Sequence, residues 1–429
     1  MGALRLSAIV GYAGLLMASR LGGAGLNFVT QVLLARLLGA EQFGIYVIAF
    51  SLAGILSVIF SLGFPSITSR FVSEYRASER WDLLAGFVSR GRLSIAVSAA
   101  VLIPLLVAAI LLGFDVDVIY RMPLLIGCAA APFLSVIRFH GALANAFRHF
   151  VLSYLPDLIV RPALFMAAIA AVYWLRQEAT TSLVLALHLA IIVLLAAGQA
   201  IALRQAALHP AKQVKLQFDA RAWHSAGWPL LIVVLFTTFF ADVDIALLGL
   251  LLPPQEVAIF SVCIKVTLLI AFGIQAIDQL CLPDLSDAYI RGDETAVNQA
   301  IVRANHLKLW PALLAAAAIV VAGDRILAIF GPEFQAGHAA LIILVGSQVV
   351  RAAVGPITPL LSLSGEQRRS VPIFAVALAL LVGLNLTLVP AFGIYGAAFA
   401  FSAVTIAWTV LIAWFLTRRM GYRSWIVAC

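Results

Sequence analysis

The sequence predicts an all-α integral membrane protein of about twelve transmembrane helices, arranged as two six-helix bundles related by an internal parallel repeat. Three observations predict it. Hydrophobic residues make up 63% of the 429 residues and charged residues 11%, with a mean hydropathy of +1.06, against roughly 45–50% and 25% in a soluble domain. Apolar runs recur along the whole chain, which at roughly 30–35 residues per span and connection has room for about twelve helices of the ~20 residues a bilayer requires. Finally, the halves align at an offset of 214 residues: "LLGAEQFGIY" (37–46) falls on "LLPPQEVAIF" (251–260) and Tyr75 on Tyr289, as an internal duplication would place them.

In order, the runs fall near 7–36, 43–72, 90–113, 119–147, 151–175, 182–206, 224–252, 256–284, 306–330, 336–363, 371–389 and 393–416, divided by polar, proline or glycine punctuation. The first is too long for a signal peptide and runs through Arg20 to Arg36 without a small-residue cleavage site, so it is expected to be the first span. One set of connections carries Arg70, Arg76, Arg80, Arg90, Arg92, Arg148, Lys212, Lys215, Arg221, Arg291, Arg303, Lys308, Arg368 and Arg369. The alternate set holds only Arg36, Arg121, Arg176 and Arg325, each near an acid. The first set, and both termini with it, is therefore expected on the cytoplasmic side. Six spans per half is an even number, so both halves share one orientation about an axis along the membrane normal. Residues 1–206 form the expected N-terminal lobe, 207–222 a cytoplasmic linker and 223–429 the C-terminal lobe. The charged stretches 73–92 and 286–308 are expected to be helical extensions on the membrane surface, and Pro356 and Pro359 to kink or unwind span ten.

Several function classes are excluded by the same reading. The formal charge is +8, but the bases stand singly between apolar runs, so no nucleic-acid partner is expected. The four cysteines show no CxxC pair and no Cys/His metal spacing. No Walker motif is present. The outward loops are short and acid-poor, no acid/base or nucleophile constellation stands out, and the seven histidines are dispersed in positions that read as helix ends or packing. The chain is expected not to be an enzyme and to need no cofactor. The sequon at Asn385 lies inside an apolar span and reads as chance.

What remains are charges inside the membrane, where an arginine costs roughly 2.5–3.5 kcal/mol and so faces protein or water. On the first span Arg20, Ala24, Asn27 and Gln31 form one stripe at helical spacing, and Gly22, Gly23 and Gly25 thin the helix beside it. Arg138 and Arg351 nearly coincide under the repeat, on the fourth helix of each half. Asp157 and Arg161 at i, i+4 share a face of span five, at a depth where Arg138 can share Asp157. Asp242 and Asp244 on span seven lie level with Lys265 on span eight, but some 200° of rotation separates them, so only one can face it. Asp278 lies nearer the cytoplasmic end, within reach of water. These groups are either structural pairs and snorkelling ends or a cation-rich anion site, for which the planar fork of arginine suits phosphate.

Residues 32–76, "LPDLIVRPALF" (155–165), "DIALLGLLLPPQEVAIFSVCIK" (244–265) and "LPDLSDAYIRGD" (282–293) resemble the polysaccharide-biosynthesis, or O-antigen flippase, family of the multidrug/oligosaccharidyl-lipid/polysaccharide exporter superfamily. The resemblance implies two bundles in a V around a central cavity, in a bacterial inner membrane. It also implies translocation of undecaprenyl-pyrophosphate-linked oligosaccharide from the cytoplasmic to the periplasmic leaflet by alternating access. Under it Arg20, Arg138 and Arg351 are expected to capture the pyrophosphate, with Arg161 and Lys265 as further basic contacts. Asn27, Gln31, Gln275 and Gln348 are expected to touch sugar, and Asp157, Asp242, Asp244 and Asp278 to couple ions or form static pairs. The expected partners are the polyprenyl-pyrophosphate-linked glycan, the bilayer, a glycan polymerase and a chain-length regulator. The alternatives are a multidrug/cation antiporter of the same fold, whose relatives use acids in the N-terminal lobe, and a lipid II-type flippase, whose chains are usually longer.

Overall fold

The computed structural model describes residues 2–113, 117–175, 179–206, 214–356, 360–361, 363 and 370–420, with side chains between residues 22 and 418. The elements are α1 (Gly2–Phe60), α2 (Phe64–Ala77), α3 (Trp81–Ala108), α4 (Val118–Ala146), α5 (Phe150–Leu155), α6 (Arg161–Trp174), α7 (Thr181–Ala206), α8 (Ala220–Leu248), α9 (Pro254–Ile290), α10 (Glu294–Ala328), α11 (His338–Ala352) and α12 (Val371–Met420). A π-helical turn, Pro156–Val160, joins α5 to α6, and a 3-10 turn, Pro332–Gly337, leads into α11. Strands are absent among the described residues.

Ten helical stretches among the described residues are long and apolar enough to cross a membrane. The count is lower than the expected twelve, and two of the elements contain a break. α1 and α12 are each two helices joined across a break, at Gly39 (φ 70°) and Gly393 (φ 56°). An unbroken helix of the 59 residues of α1 would be about 90 Å long, three times the ~30 Å hydrocarbon core. The breaks need a left-handed residue, which glycine adopts without a Cβ clash.

The expected surface extensions are not separate helices. Each is divided by a tight turn, between α2 and α3 and between α9 and α10. The two turns are built alike: Ser78, Glu79 and Arg80 N–H donate to the carbonyls of Glu74, Arg76 and Tyr75, and Arg291, Gly292 and Asp293 N–H donate to those of Asp287, Tyr289 and Ala288. Glu79 (φ 54°) and Gly292 (φ 67°) take the same left-handed place. One pattern of capping bonds on the terminal carbonyls thus recurs in both halves, one residue short of the offset of 214.

The chain divides into two compact units, Met1–Leu235 and Phe236–Cys429. In the first, α1 and α4 approach closely because Gly127 abuts the Ala49 carbonyl, where a Cβ would sit 2.6 Å away. Small residues allow such contacts where lipid offers no hydrophobic drive. Phe60, Phe64, Phe87, Phe139 and Trp223 fill the core beneath. Trp223 donates its indole N–H to Tyr75 Oη at 2.8 Å, and Gln217 N–H donates to the Asp82 carbonyl at 3.2 Å, so residues 214–223 lie docked on α2 and α3. In the second unit Phe236, Phe240, Phe374, Phe401 and Trp408 form a ring cluster. α11 ends at Ala352, ahead of Pro356; Pro359 lies outside the described residues.

Candidate functional site

Of the two π-helical turns described in the first unit, Ala109–Gly113 and Pro156–Val160, only the second carries an ionisable residue. Pro156 has no N–H to donate to the preceding turn, and the backbone widens over Pro156–Val160. Such widened turns favour functional positions. This one carries Asp157 and is followed at once by Arg161. Gly23 of α1 presses against it: a Cβ there would sit 2.5 Å from the Leu158 carbonyl oxygen. Gly22 and Gly25 face open space instead. Asn27 follows Gly23 by one helical turn on the same side of α1. The Arg20 side chain lies outside the described residues. Asn27 donates to the Gly23 carbonyl at 3.0 Å, and Gln31 is half-buried further along.

Around the turn a chain of polar contacts crosses four elements. Arg161 Nε donates to Asp157 Oδ1 at 2.8 Å, and its Nη1 lies 3.3 Å from His188 Nε2 on α7. His188 Nδ1 lies 3.0 Å from Tyr46 Oη on α1. Phe50 covers the guanidinium 5.9 Å from its ring centre, and His188 is stacked between Phe165 at 3.9 Å and Phe50 at 4.5 Å. The chain grades from exposed to buried: the Asp157 side chain is 44% exposed, that of Arg161 17%, and His188 only 4%. Arg138 is half-buried on α4. A histidine read from the sequence as packing is therefore a polar partner of a site residue, and the signal available for it was only its depth in span six.

The second unit holds an ion pair that is largely buried. Lys308 Nζ on α10 lies 3.0 Å from Asp278 Oδ1 on α9 and donates to the Val354 carbonyl at 2.9 Å. The side chains are 1% and 14% exposed. Lys308, counted in the sequence among the bases of the connections, is thus buried, and Asp278, expected either within reach of water or in a static pair, is paired. Arg351 of α11 lies over Trp408 at 5.8 Å, and its charge acts on Asp278 and Lys308.

The two acids of α8 part company. Asp242 is the charge that acts on Lys265, while Asp244, fully buried, accepts from Asn385 Nδ2 of α12 at 2.7 Å. The sequon reading of Asn385 missed this contact. Gln275 is exposed on α9 and Gln348 buried in α11. Among the described residues no group of His, Cys, Asp and Glu is arranged to hold a metal ion.

The polysaccharide biosynthesis protein family model matches residues 11–288. Over 189 residues the chain is 26% identical to the probable low-salt glycan biosynthesis flippase Agl15 of Haloferax volcanii. That match spans 43% of this chain and 39% of the relative, well under half the length of either. Two solved structures share the fold at 13% identity: an inward-facing multidrug resistance MATE family transporter of the MOP superfamily, with a TM-score of 0.77 over 94% of this chain and 98% of that one, and the lipid II flippase MurJ in an inward closed conformation, at 0.75 over 94% and 87%.

Proposed function

Because the chain belongs to the polysaccharide biosynthesis protein family, we propose that it is a flippase carrying polyprenyl-pyrophosphate-linked oligosaccharide from the cytoplasmic to the periplasmic leaflet by alternating access. The substrate combines a lipid tail, a diphosphate and a glycan that crosses in water. Its headgroup needs positive charge inside the membrane and its sugars need hydrogen-bond partners. The observation that carries the reading is the contact of Gly23 with Leu158. In this reading Arg20, one helical turn from Gly23 in sequence, and Arg138 belong to the same unit as the Asp157–Arg161 turn. Arginine suits a diphosphate because its planar fork can grip two oxygens of one phosphate. Arg20 and Arg138 take the diphosphate in this reading, Asn27 and Gln31 take hydroxyls, and a glycan polymerase and chain-length regulator receive the product.

The test is complementation of glycan export in a strain lacking its own flippase. Arg20→Ala and Arg138→Ala each lose a charge-assisted contact of ~1.5–3 kcal/mol, so export falls about 10–100-fold. The lysine variants lose less. Full export in the Arg20→Ala, Arg138→Ala double variant overturns the reading. Transport of fluorescent organic cations by the purified chain in vesicles, without glycan export, would make it an antiporter.

A further inference from the structure

Resting on that reading, we propose that Arg161 is a further phosphate-binding residue, that Asp157 occupies its guanidinium in place of the substrate's phosphate, and that His188 and Tyr46 are positioning residues that aim it. Asp157 is the outermost member of the chain, 44% exposed on an apolar span. An ionised carboxylate so exposed faces water or an ionic headgroup and not hydrocarbon. The pair is joined through Arg161 Nε and Asp157 Oδ1, whereas a guanidinium edge can grip two oxygens of one phosphate. A phosphate brings more charge and more oxygens than Asp157, and the displaced carboxylate already borders a polar medium.

The inner edge of Arg161 does not move with that exchange, because a rigid buried ring holds it. Arginine only donates, so His188 Nε2 must accept from Nη1. The ring's proton then sits on Nδ1 and is donated to Tyr46 Oη, 3.0 Å away. Tyr46 thus sets the tautomer that gives Arg161 its acceptor, without touching Arg161 itself. Phe165 and Phe50 clamp the imidazole on both faces, so its orientation is fixed by packing as well as by hydrogen bonds. The result is a guanidinium pre-aimed on one edge and exchangeable on the other, which lowers the ordering cost of binding.

The experiment measures binding of farnesyl pyrophosphate to the purified full chain in detergent, by calorimetry, with inorganic pyrophosphate in a parallel arm. The prenylated probe is expected to bind more tightly than the inorganic ion; equal binding assigns the site to free diphosphate and overturns the lipid-linked assignment. Arg161→Ala is expected to weaken binding by about tenfold or more. Asp157→Asn is expected to tighten it by about 3–10-fold, because no carboxylate is left to displace. Tyr46→Phe is expected to weaken it by about 3–10-fold, and His188→Leu at least as much, while His188→Gln, whose Oε1 replaces the Nε2 acceptor, restores it to within about twofold.

The sign at residue 157 decides the outcome. If Asp157→Asn weakens binding as Arg161→Ala does, the pair is a helix lock and the proposal fails. If Arg20→Ala abolishes binding while the Arg161, His188 and Tyr46 variants bind as the unaltered chain does, the proposal fails and the flippase reading stands. If the unaltered chain binds no diphosphate and Arg20→Ala changes nothing, both fail.

Discussion

Each unit holds an ion pair between an acid and a base inside its helices, but the two pairs are built for different conditions. Asp157 and Arg161 lie four residues apart on one helical face, partly open, and lean on a neutral chain through His188 to Tyr46. Lys308 and Asp278 come from different helices, are only 1% and 14% exposed, and tie a third element through the Val354 carbonyl. Removing one partner of a sealed pair leaves an uncompensated charge, whereas a half-open pair can exchange one partner for water or a ligand. The difference separates charges that fasten helices from charges that remain chemically available, and position in the sequence does not reveal which is which.

That contrast can be broken by substitution. The largest effect on stability is expected from Lys308→Ala, about 3–5 kcal/mol for a buried carboxylate left unpaired, seen as a large fall in thermal stability in detergent; the Lys308→Met, Asp278→Leu double variant should recover most of it. Asn385→Ala removes the donor to buried Asp244 and should cost about 1–3 kcal/mol in the same assay. Arg161→Ala should lower stability by no more than about 1 kcal/mol and yet lower glycan export tenfold or more; a loss of stability as large as that of Lys308→Ala would erase the distinction between the pairs. The smallest effect is expected at the exposed pair of Arg80 and Asp82, where Arg80→Ala should leave the melting temperature unchanged within error.

Much of this was legible in the amino-acid order because it is local. Apolar runs the length of a bilayer, the i, i+4 spacing of Asp157 and Arg161, and the opposed faces of Asp242 and Asp244 all follow from 1.5 Å and 100° per residue. The membrane class was legible in the composition, and the family only as a resemblance of particular segments. The glycine breaks at 39 and 393 are local too, falling near connections marked by polar and proline residues.

Other features were not readable in advance. His188 meets Arg161 across 27 residues and Tyr46 across 142, and Asn385 meets Asp244 across 141. Lys308 reads as a cytoplasmic base, yet the rotation of α10 turns it into the protein. Sequence by itself determined the spans, their polar stripes and the pairs within a single turn, because those depend on helix geometry alone. Only the tertiary structure decided which polar groups are sealed and which stay accessible. That depends on how each helix is rotated and how closely glycines such as Gly23 and Gly127 let neighbours approach, and packing sets both.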